Sequence, residues 1–493
     1  TYDYKSRYMF NTNLRYDGSS RFIGKRWGLF PSIGAGWRFS DEFFMKWSKP
    51  VLTDAKFRVS WGMNGNERVG NYDAINRYLI GAYYNGVLGV TQNSRVANSD
   101  LGWEATEQTN FGLDLTFLDG RITFVGEYYI KNTNDLLSLE NMPSELGVSD
   151  MRINFGKIQN KGIELSVTAY PVQTRDFSWQ TTVNYSRNKN KVVKLSGGTP
   201  FVEDGKYWIE EGAPLGQWYG WRQQGIYQYD ESNAYIKNSD GSFGERLTPV
   251  FKTDPNNYNN IVYGTNGKPV FSHYETSDGK EYTGQVGQMT TYGQVLKGGD
   301  VIWEDRDHDG VIGDSDRSIL GQGLPNWYMG WSNYLNYKNF SLSFSFYGSF
   351  GNQIYNKQRR ELNTYSSSNA TPYHSDIYKI WKYQGQITSG YSGQKANTGV
   401  QNARELSSYF LEDGDYIRLT NIRLAYSLER KIAQKLKLSE LTVYVYGNNL
   451  LTWTNYSGYD PSSISNSNVL RPGQDNGRYP TAKEIGFGIN VNF

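Results

Sequence analysis

The fold is decided by the stretch Ile485-Gly486-Phe487-Gly488-Ile489-Asn490-Val491-Asn492-Phe493, which ends the 493-residue sequence. Apolar side chains occupy every second position of this stretch, and glycine or asparagine stands between them. A period of two residues is the period of a β-strand, which sends alternate side chains to opposite faces. One face of this strand is therefore apolar and the other is small and polar. Such a strand suits a wall between lipid and water.

The composition agrees with a membrane wall made of strands. Aromatic residues make up 16% of the chain, and there are 53 glycines. The mean hydropathy is −0.66, and no stretch approaches the roughly 18 apolar residues that a transmembrane helix needs. The formal net charge of +2 does not favour nucleic-acid binding, and the lack of cysteine excludes disulfides and thiolate metal sites. A soluble all-β protein is the alternative.

Twelve segments repeat this alternation and predict an all-β, antiparallel transmembrane β-barrel. They lie at about 8–16, 29–39, 56–63, 111–117, 122–130, 163–169, 177–185, 327–338, 340–346, 422–426, 441–453 and 485–493. The fourth and fifth are joined by Asp119-Gly120, a strong hairpin signal because both positions tolerate positive φ.

The lengths of the connections support a barrel of the outer-membrane type. Short connections fall at 40–53, 119–120, 171–176, 338–339 and 429–440, and long ones at 17–27, 65–102, 136–152, 196–326, 353–413 and 453–480. This alternation predicts short periplasmic turns and long extracellular loops, with Phe493 on the periplasmic side. The segments Asp41 to Trp47 and Glu429 to Leu436 are predicted to be helical caps within two of the short turns.

Six charged residues are predicted on the inner, wet face of the strands: Arg15, Arg38, Arg58, Asp114, Glu127 and Glu164. An arginine facing lipid at the membrane midplane costs roughly 2–4 kcal/mol, so the alternation decides which face is wet. Two interpretations are open for these charges. They pair with one another along the wall, or they contact a plug or a passing solute.

Several motifs resemble those of the SusC/RagA family of TonB-dependent outer-membrane transporters of Bacteroidota. They are Lys161 to Leu165, Gly299-Asp300, Asp305 to Gly310, Asp415 to Ile422, Tyr446 to Trp453, Tyr456 to Pro461 and the final Phe493. Members of the family also have a signal peptide, a TonB box, a plug domain and further strands upstream. The resemblance implies that residues 1–493 are the C-terminal part of one receptor barrel of roughly 22 strands.

The resemblance also implies a function, a location and partners. We expect an integral outer-membrane protein that imports a large nutrient, a glycan first and a peptide second, through a plugged barrel. TonB would contact the upstream part of the protein and so drive the import. An SusD-like surface lipoprotein would cap the extracellular loops. A passive porin or a surface adhesin built on the same wall is the alternative.

The segment from Asp305 to Asp316 matches the spacing of a calcium-binding loop. Its candidate ligands are Asp305, Asp307, Asp309, the carbonyl of Val311, and Asp316. Gly310 occupies the position of the sharp turn, whereas Asp316 stands where a bidentate glutamate is usual. Calcium would stiffen the extracellular connection at 196–326. An acidic turn that only orders this connection is the other interpretation.

The same connection carries aromatic residues that predict a solute-binding surface: Tyr207, Trp208, Trp218, Tyr219 and Trp221. Flat rings offer stacking faces to sugars or peptide side chains, although packing within the loop is the competing interpretation. Catalysis has little support, because the three histidines show no ligand spacing and no catalytic motif is present. We therefore do not expect an enzyme.

Overall fold

The computed structural model describes residues 1–154, 156–195, 197–363, 374–388, 406–462, 468 and 470–493. Two predicted connections, 353–413 and 453–480, thus lie partly outside the described residues. Residue 196 of the predicted connection at 196–326 also lies outside them. Among the described residues, no helix has the length and the apolar character needed to cross a membrane.

Thirteen strands form one antiparallel sheet in which each strand pairs with the next one along the chain. They are β1 (Tyr2–Tyr4), β2 (Tyr8–Gly18), β3 (Trp27–Trp37), β4 (Leu52–Asn66), β5 (Glu104–Phe117), β6 (Ile122–Asn134), β7 (Gly156–Gln173), β8 (Phe177–Leu195), β9 (Trp327–Tyr337), β10 (Phe340–Phe350), β11 (Tyr416–Ser427), β12 (Glu440–Thr454) and β13 (Glu484–Asn492). All twelve predicted segments are confirmed as strands, and β1 is an additional short one. In the described part of the chain, β1 and β13 do not pair, so the sheet is an open arc.

The connections predicted to be short span 38–51, 118–121, 174–176, 338–339 and 428–439, with a further short one at 5–7, and those predicted to be long span 19–26, 67–103, 135–155, 196–326, 351–415 and 455–483. The predicted alternation of lengths has one exception, because 19–26 has eight residues whereas 38–51 has fourteen and 428–439 has twelve. Because successive antiparallel strands turn at opposite edges, all the short connections lie at one edge of the sheet. The turn predicted at Asp119-Gly120 extends from Leu118 to Arg121, and Leu118, Asp119 and Gly120 have φ values of 53°, 55° and 89°.

Helices are short and lie in the connections. The helix α1 (Lys357–Asn363) belongs to a long connection, and α2 (Arg430–Lys435) lies in the short turn where a helical cap is predicted. The other predicted cap forms as 3₁₀ turns at Phe39–Asp41 and Phe43–Ser48. Further 3₁₀ turns span Ser144–Leu146, Asp230–Ser232, Ser375–Lys379 and Ser408–Phe410.

The outer face of the sheet is apolar and exposed. Leu14 on β2 is 69% exposed and Phe487 on β13 is 86% exposed, which is the burial pattern of a surface that contacts lipid. On the opposite face of β13, a Cβ atom on Gly486 or Gly488 would come within 2.5 Å of the ring of Tyr446 or 2.4 Å of the ring of Tyr444. These glycines therefore make room for two inner-face tyrosines of β12.

The long connections contain strands of their own. Outside residues 197–326 these are Tyr78–Tyr84, Val87–Gln92, Arg95–Val96, Leu137–Asn141, Asp150–Asn154, Gln353–Asn356, Leu411–Asp413 and Gln474–Asp475. Within residues 197–326 they are Phe201–Glu203, Tyr207–Ile209, Gln217–Gly220, Gln223–Ile226, Tyr235–Lys237, Phe243–Arg246, Thr248–Phe251, Thr253–Asp254, Asn257–Ile261, Phe271–Glu275, Glu281–Tyr282, Val286–Gly287, Thr290–Thr291, Gln294–Val295, Val301–Trp303 and Ser318–Gln322. A buried apolar cluster, which includes Trp218, Tyr227, Trp303 and Phe410, joins this region to the 351–415 connection.

Candidate functional site

The inner face of the sheet carries a network of charges. Arg58 on β4 donates to Asp114 on β5 at 2.9 Å and to Glu127 on β6 at 2.6 Å. Arg15 pairs with Asp17 at 2.6 Å, and Arg38 pairs with Asp54 at 3.3 Å. Five of the six charges predicted on the inner face thus pair with neighbouring charges on the wall.

Glu164 on β7 is the remaining predicted inner-face charge. It lies directly opposite Glu127 in the register of β6 and β7. Together with Tyr328 and Tyr347 the two glutamates line a depression of the wall of about 600 Å³. The depression is open, and it combines the two carboxylates with apolar surface from tyrosine, leucine and methionine side chains.

A four-stranded sheet in the longest connection lies next to this wall. Its strands are Phe201–Glu203, Tyr207–Ile209, Gln217–Gly220 and Ser318–Gln322. The backbone N–H of Leu215 donates to the Asn190 side chain of β8 at 2.6 Å. That hydrogen bond ties the connection to the wall strand that it follows.

The prediction of a solute-binding surface is wrong for three of its five residues, Tyr207, Trp218 and Trp221. The side chains of Tyr207 and Trp218 are fully buried, and Trp221 is only 9% exposed. The Tyr207 hydroxyl donates to the carbonyl of Pro472, and the Trp218 indole donates to the carbonyl of Gln353. Because a ring without exposed surface cannot stack on a solute, these three residues pack the core of the loop instead.

Trp208 and Tyr219 lie on the opposite, partly exposed face of the same small sheet. Their ring centroids are 4.9 Å apart, and they line a cleft of about 540 Å³. The guanidinium of Arg317 stacks on the Tyr219 ring at 4.5 Å. Arg222 and Arg306 also line the cleft. Sequence reasoning missed the arginines, since nothing in their spacing indicates that they converge.

The aspartates of the predicted calcium loop accept hydrogen bonds from the loop's own backbone, and the predicted ligand Asp316 lies outside the group formed by Asp305, Asp307 and Asp309. The Asp305 carboxylate accepts hydrogen bonds from the N–H groups of His308 at 2.9 Å and Gly310 at 3.0 Å. The Asp316 carboxylate accepts from the N–H groups of Arg306 and Gly313. Carboxylate oxygens of Asp305, Asp307 and Asp309 lie within 4.8 Å of one another.

The electrostatics of this loop fit a cation. Burial, together with the charge of Asp316, raises the pKa of Asp305 to about 6, and burial raises the pKa of Asp316 as well. Closely spaced, desolvated carboxylates disfavour their own charged forms, and a divalent cation would offset that cost. The donor set of carboxylates with a backbone carbonyl suits calcium.

A buried ion pair joins two of the motifs noted in the sequence. Arg418 on β11 donates to Asp460 at 2.5 Å, and the two side chains are only 9% and 4% exposed. Burial alone would raise the pKa of Asp460, yet hydrogen bonds from Ser462 and Thr481 outweigh it and hold the pKa well below its ordinary value. We call this pair, Arg418 with Asp460, the latch. It holds the 455–483 connection against the wall.

The fold and these sites define an arc of a β-barrel wall of the outer-membrane type, with a large loop region at one edge. A family model described as "TonB dependent receptor-like, beta-barrel" matches residues 1–254. The chain belongs to this family of TonB-dependent receptors.

Individual relatives agree with this assignment. TonB-dependent receptor P39 of Formosa agariphila is 38% identical over 495 residues, covering 100% of this chain and 45% of the relative. TonB-dependent receptor SusC of Bacteroides thetaiotaomicron is 28% identical, covering 100% of this chain and 43% of that protein. This chain therefore spans less than half the length of these relatives.

A solved structure has the same fold. A chain of the RagAB peptide transporter superposes with a TM-score of 0.75 at 20% identity, covering 99% of this chain and 46% of that one. As a member of the TonB-dependent receptor barrel family, the chain is an integral protein of the outer membrane, and the predicted location is confirmed.

Proposed function

We propose that this chain forms part of the wall and the extracellular loops of an importer of large nutrients. The observation that supports this most directly is the polar inner wall, which continues into the loop cleft of Trp208 and Tyr219. A solute bound in the cleft would face the lumen along which it has to pass. The relatives are named receptors of the TonB-dependent class, which supports import rather than catalysis.

The substrate is proposed to be a glycan, with a peptide as the second candidate. Partly exposed aromatic side chains such as Trp208 favour sugar rings, which stack on indole and phenol faces. The peptide alternative is supported by the fold likeness to the RagAB peptide transporter. The proposed partner is an SusD-like lipoprotein seated on the long connections, with TonB supplying the energy.

Uptake is expected to require the proton-motive force. In intact cells that carry the receptor, a protonophore should abolish the uptake of fluorescent oligosaccharide or oligopeptide probes, because the lumen of an energised importer opens only through TonB. Deletion of the proposed SusD-like lipoprotein should lower uptake of the same probe. Uptake that persists in the protonophore would instead support a passive porin, and no uptake of any probe would leave the adhesin as the better interpretation.

We also propose that the loop from Asp305 to Asp316 binds calcium and stiffens the extracellular connection. Calcium at a hundredfold excess over its dissociation constant should stabilise the folded loop by about 2.7 kcal/mol. The measurement is protection of residues 197–326 from protease, with and without millimolar calcium. The double variant Asp305→Asn/Asp309→Asn should lose the protection.

The matched control for calcium is Asp278→Asn. Asp278 is an exposed aspartate of the same connection that pairs with Lys280, and its replacement should leave the calcium effect unchanged. Equal protection with and without calcium in the parent protein would show that the loop is an acidic turn without a metal.

A further inference from the structure

The cleft that contains Trp208 and Tyr219 is lined by more positive than negative charge. Its lining includes Arg222, Arg306 and Arg317, but only one carboxylate, that of Glu304. Glu304 pairs with Arg222 at 3.3 Å, and the two side chains remain 33% and 47% exposed. The three arginines and one glutamate give the lining a formal charge of +2. A second carboxylate, that of Glu210, adjoins the cleft, because it accepts the hydrogen bond of the Trp208 indole N–H at 3.0 Å.

Arg306 and Arg317 are positioned by backbone carbonyls of the loop, whereas Arg222 pairs with Glu304. Arg306 donates to the carbonyl of Arg317 at 2.9 Å, and Arg317 donates to the carbonyl of Tyr219 at 2.9 Å. These hydrogen bonds fix the positions of the two guanidiniums. Positioned guanidiniums recognise planar or tetrahedral anions, because the N–H groups form a fork that matches carboxylate and sulfate oxygens.

The cleft also opens toward the lumen side of the wall. Trp208 is paired with Gln217 and Tyr219 with Ile319, so the side chains of these four residues share one face of the small sheet. Ile319 and Gln217 line a second cavity together with Asn188 and Asn190 of β8.

The hydrogen bond of Asn188 shows on which face of the wall this second cavity lies. Its side chain accepts a hydrogen bond from the Tyr129 hydroxyl at 3.1 Å. Tyr129 lies two residues from Glu127 on the inner face of β6, so the second cavity lies over the inner wall. The aromatic cleft and the lumen wall thus form one continuous surface.

We propose that this cleft selects an anionic oligosaccharide, whose sugar ring stacks on Trp208 and whose carboxylate or sulfate group binds Arg222 and its neighbours. A neutral glycan would leave the surplus positive charge unused, whereas an acidic peptide would leave the exposed indole face without a sugar ring. The inference rests on the proposed importer function and specifies its substrate class.

Binding to the purified, intact receptor tests the proposal without TonB or a membrane potential. The probes are tetragalacturonate, a sulfated tetrasaccharide from carrageenan, maltotetraose as the neutral sugar, and hexaglutamate as the acidic peptide. At least one of the two anionic sugars should bind, and the one that binds shows whether carboxylate or sulfate is recognised. Maltotetraose should bind at least about tenfold more weakly, since it lacks the charge-assisted hydrogen bonds.

Two variants separate the roles of ring and charge. Trp208→Ala should weaken the anionic sugar about tenfold, and Arg222→Gln should weaken it by a similar factor and reduce its salt dependence. The control Trp47→Ala removes an exposed tryptophan from the short-connection edge and should leave binding unchanged. Unchanged thermal unfolding of each variant shows that the loop still folds.

Three results would overturn the inference. They are equal binding of neutral and anionic sugars, tighter binding of hexaglutamate than of either anionic sugar, and parental binding by both cleft variants. Each of these leaves energy-dependent uptake untouched, because uptake is measured in cells. Conversely, uptake that persists without the proton-motive force would contradict the proposed energised import but not the proposed binding site.

Discussion

Replacing Asp460 with asparagine is expected to lower the free energy of unfolding by about 3–5 kcal/mol, because it leaves the Arg418 guanidinium buried without its carboxylate. Asp460 also accepts hydrogen bonds from the N–H groups of Ser462 and Thr481 at 2.9 Å each. An asparagine keeps one acceptor oxygen but loses the charge. The effect should appear in denaturant unfolding of the purified receptor and as faster proteolysis of the 455–483 connection.

Two further variants make the latch prediction specific. The double variant Arg418→Met/Asp460→Leu should recover much of the lost stability, because replacing both members of a buried pair removes the unpaired charge. Asp413→Asn, at an exposed aspartate near the start of β11, should change stability little. If Asp460→Asn unfolds at the parental denaturant concentration, the latch does not hold the connection to the wall.

Substituting arginine for Val167 on the outer face of β7 is expected to cost about 2–4 kcal/mol near the membrane midplane. The same substitution at the next residue, Ser166, should cost little, since Ser166 lies on the wet inner face beside Glu164. The measurement is the free energy of unfolding in lipid bilayers. Equal costs at the two positions would contradict the assignment of the lipid-facing and lumen-facing sides.

The strands could be predicted because the signal for them is local. Alternation in segments such as Phe340 to Phe346 predicts both that a strand forms and which side chains share a face. The lengths of the connections then favour a barrel wall in which consecutive strands pair. Most predicted boundaries lie within four residues of the observed strand ends. The starts of β5, β7 and β11 and the end of β8 were missed by six to ten residues, because the pattern ends there before the hydrogen bonding does.

The sites were predicted less completely, because burial depends on partners far away in the sequence. Sequence alternation places Tyr207 and Trp208 on opposite faces of a strand, but it does not say which face is covered. Tyr207 is covered because its hydroxyl reaches Pro472, and Trp208 is left partly exposed over the cleft. The candidate ligands of the calcium loop lie within one short segment, so that this site needs no distant partner, and calcium binding there stays a prediction.

The sequence by itself determined the strands of the membrane wall, the alternation of their connections between two edges, and the motifs of the receptor family. These follow from periodicities and spacings that a single segment can carry. Only the tertiary structure decided that Arg418 meets Asp460, that three predicted aromatic residues are core, and that Arg222, Arg306 and Arg317 converge on one cleft. The physical reason is that side-chain direction is set by the local backbone, whereas burial and charge pairing are set by contacts between residues distant in the chain.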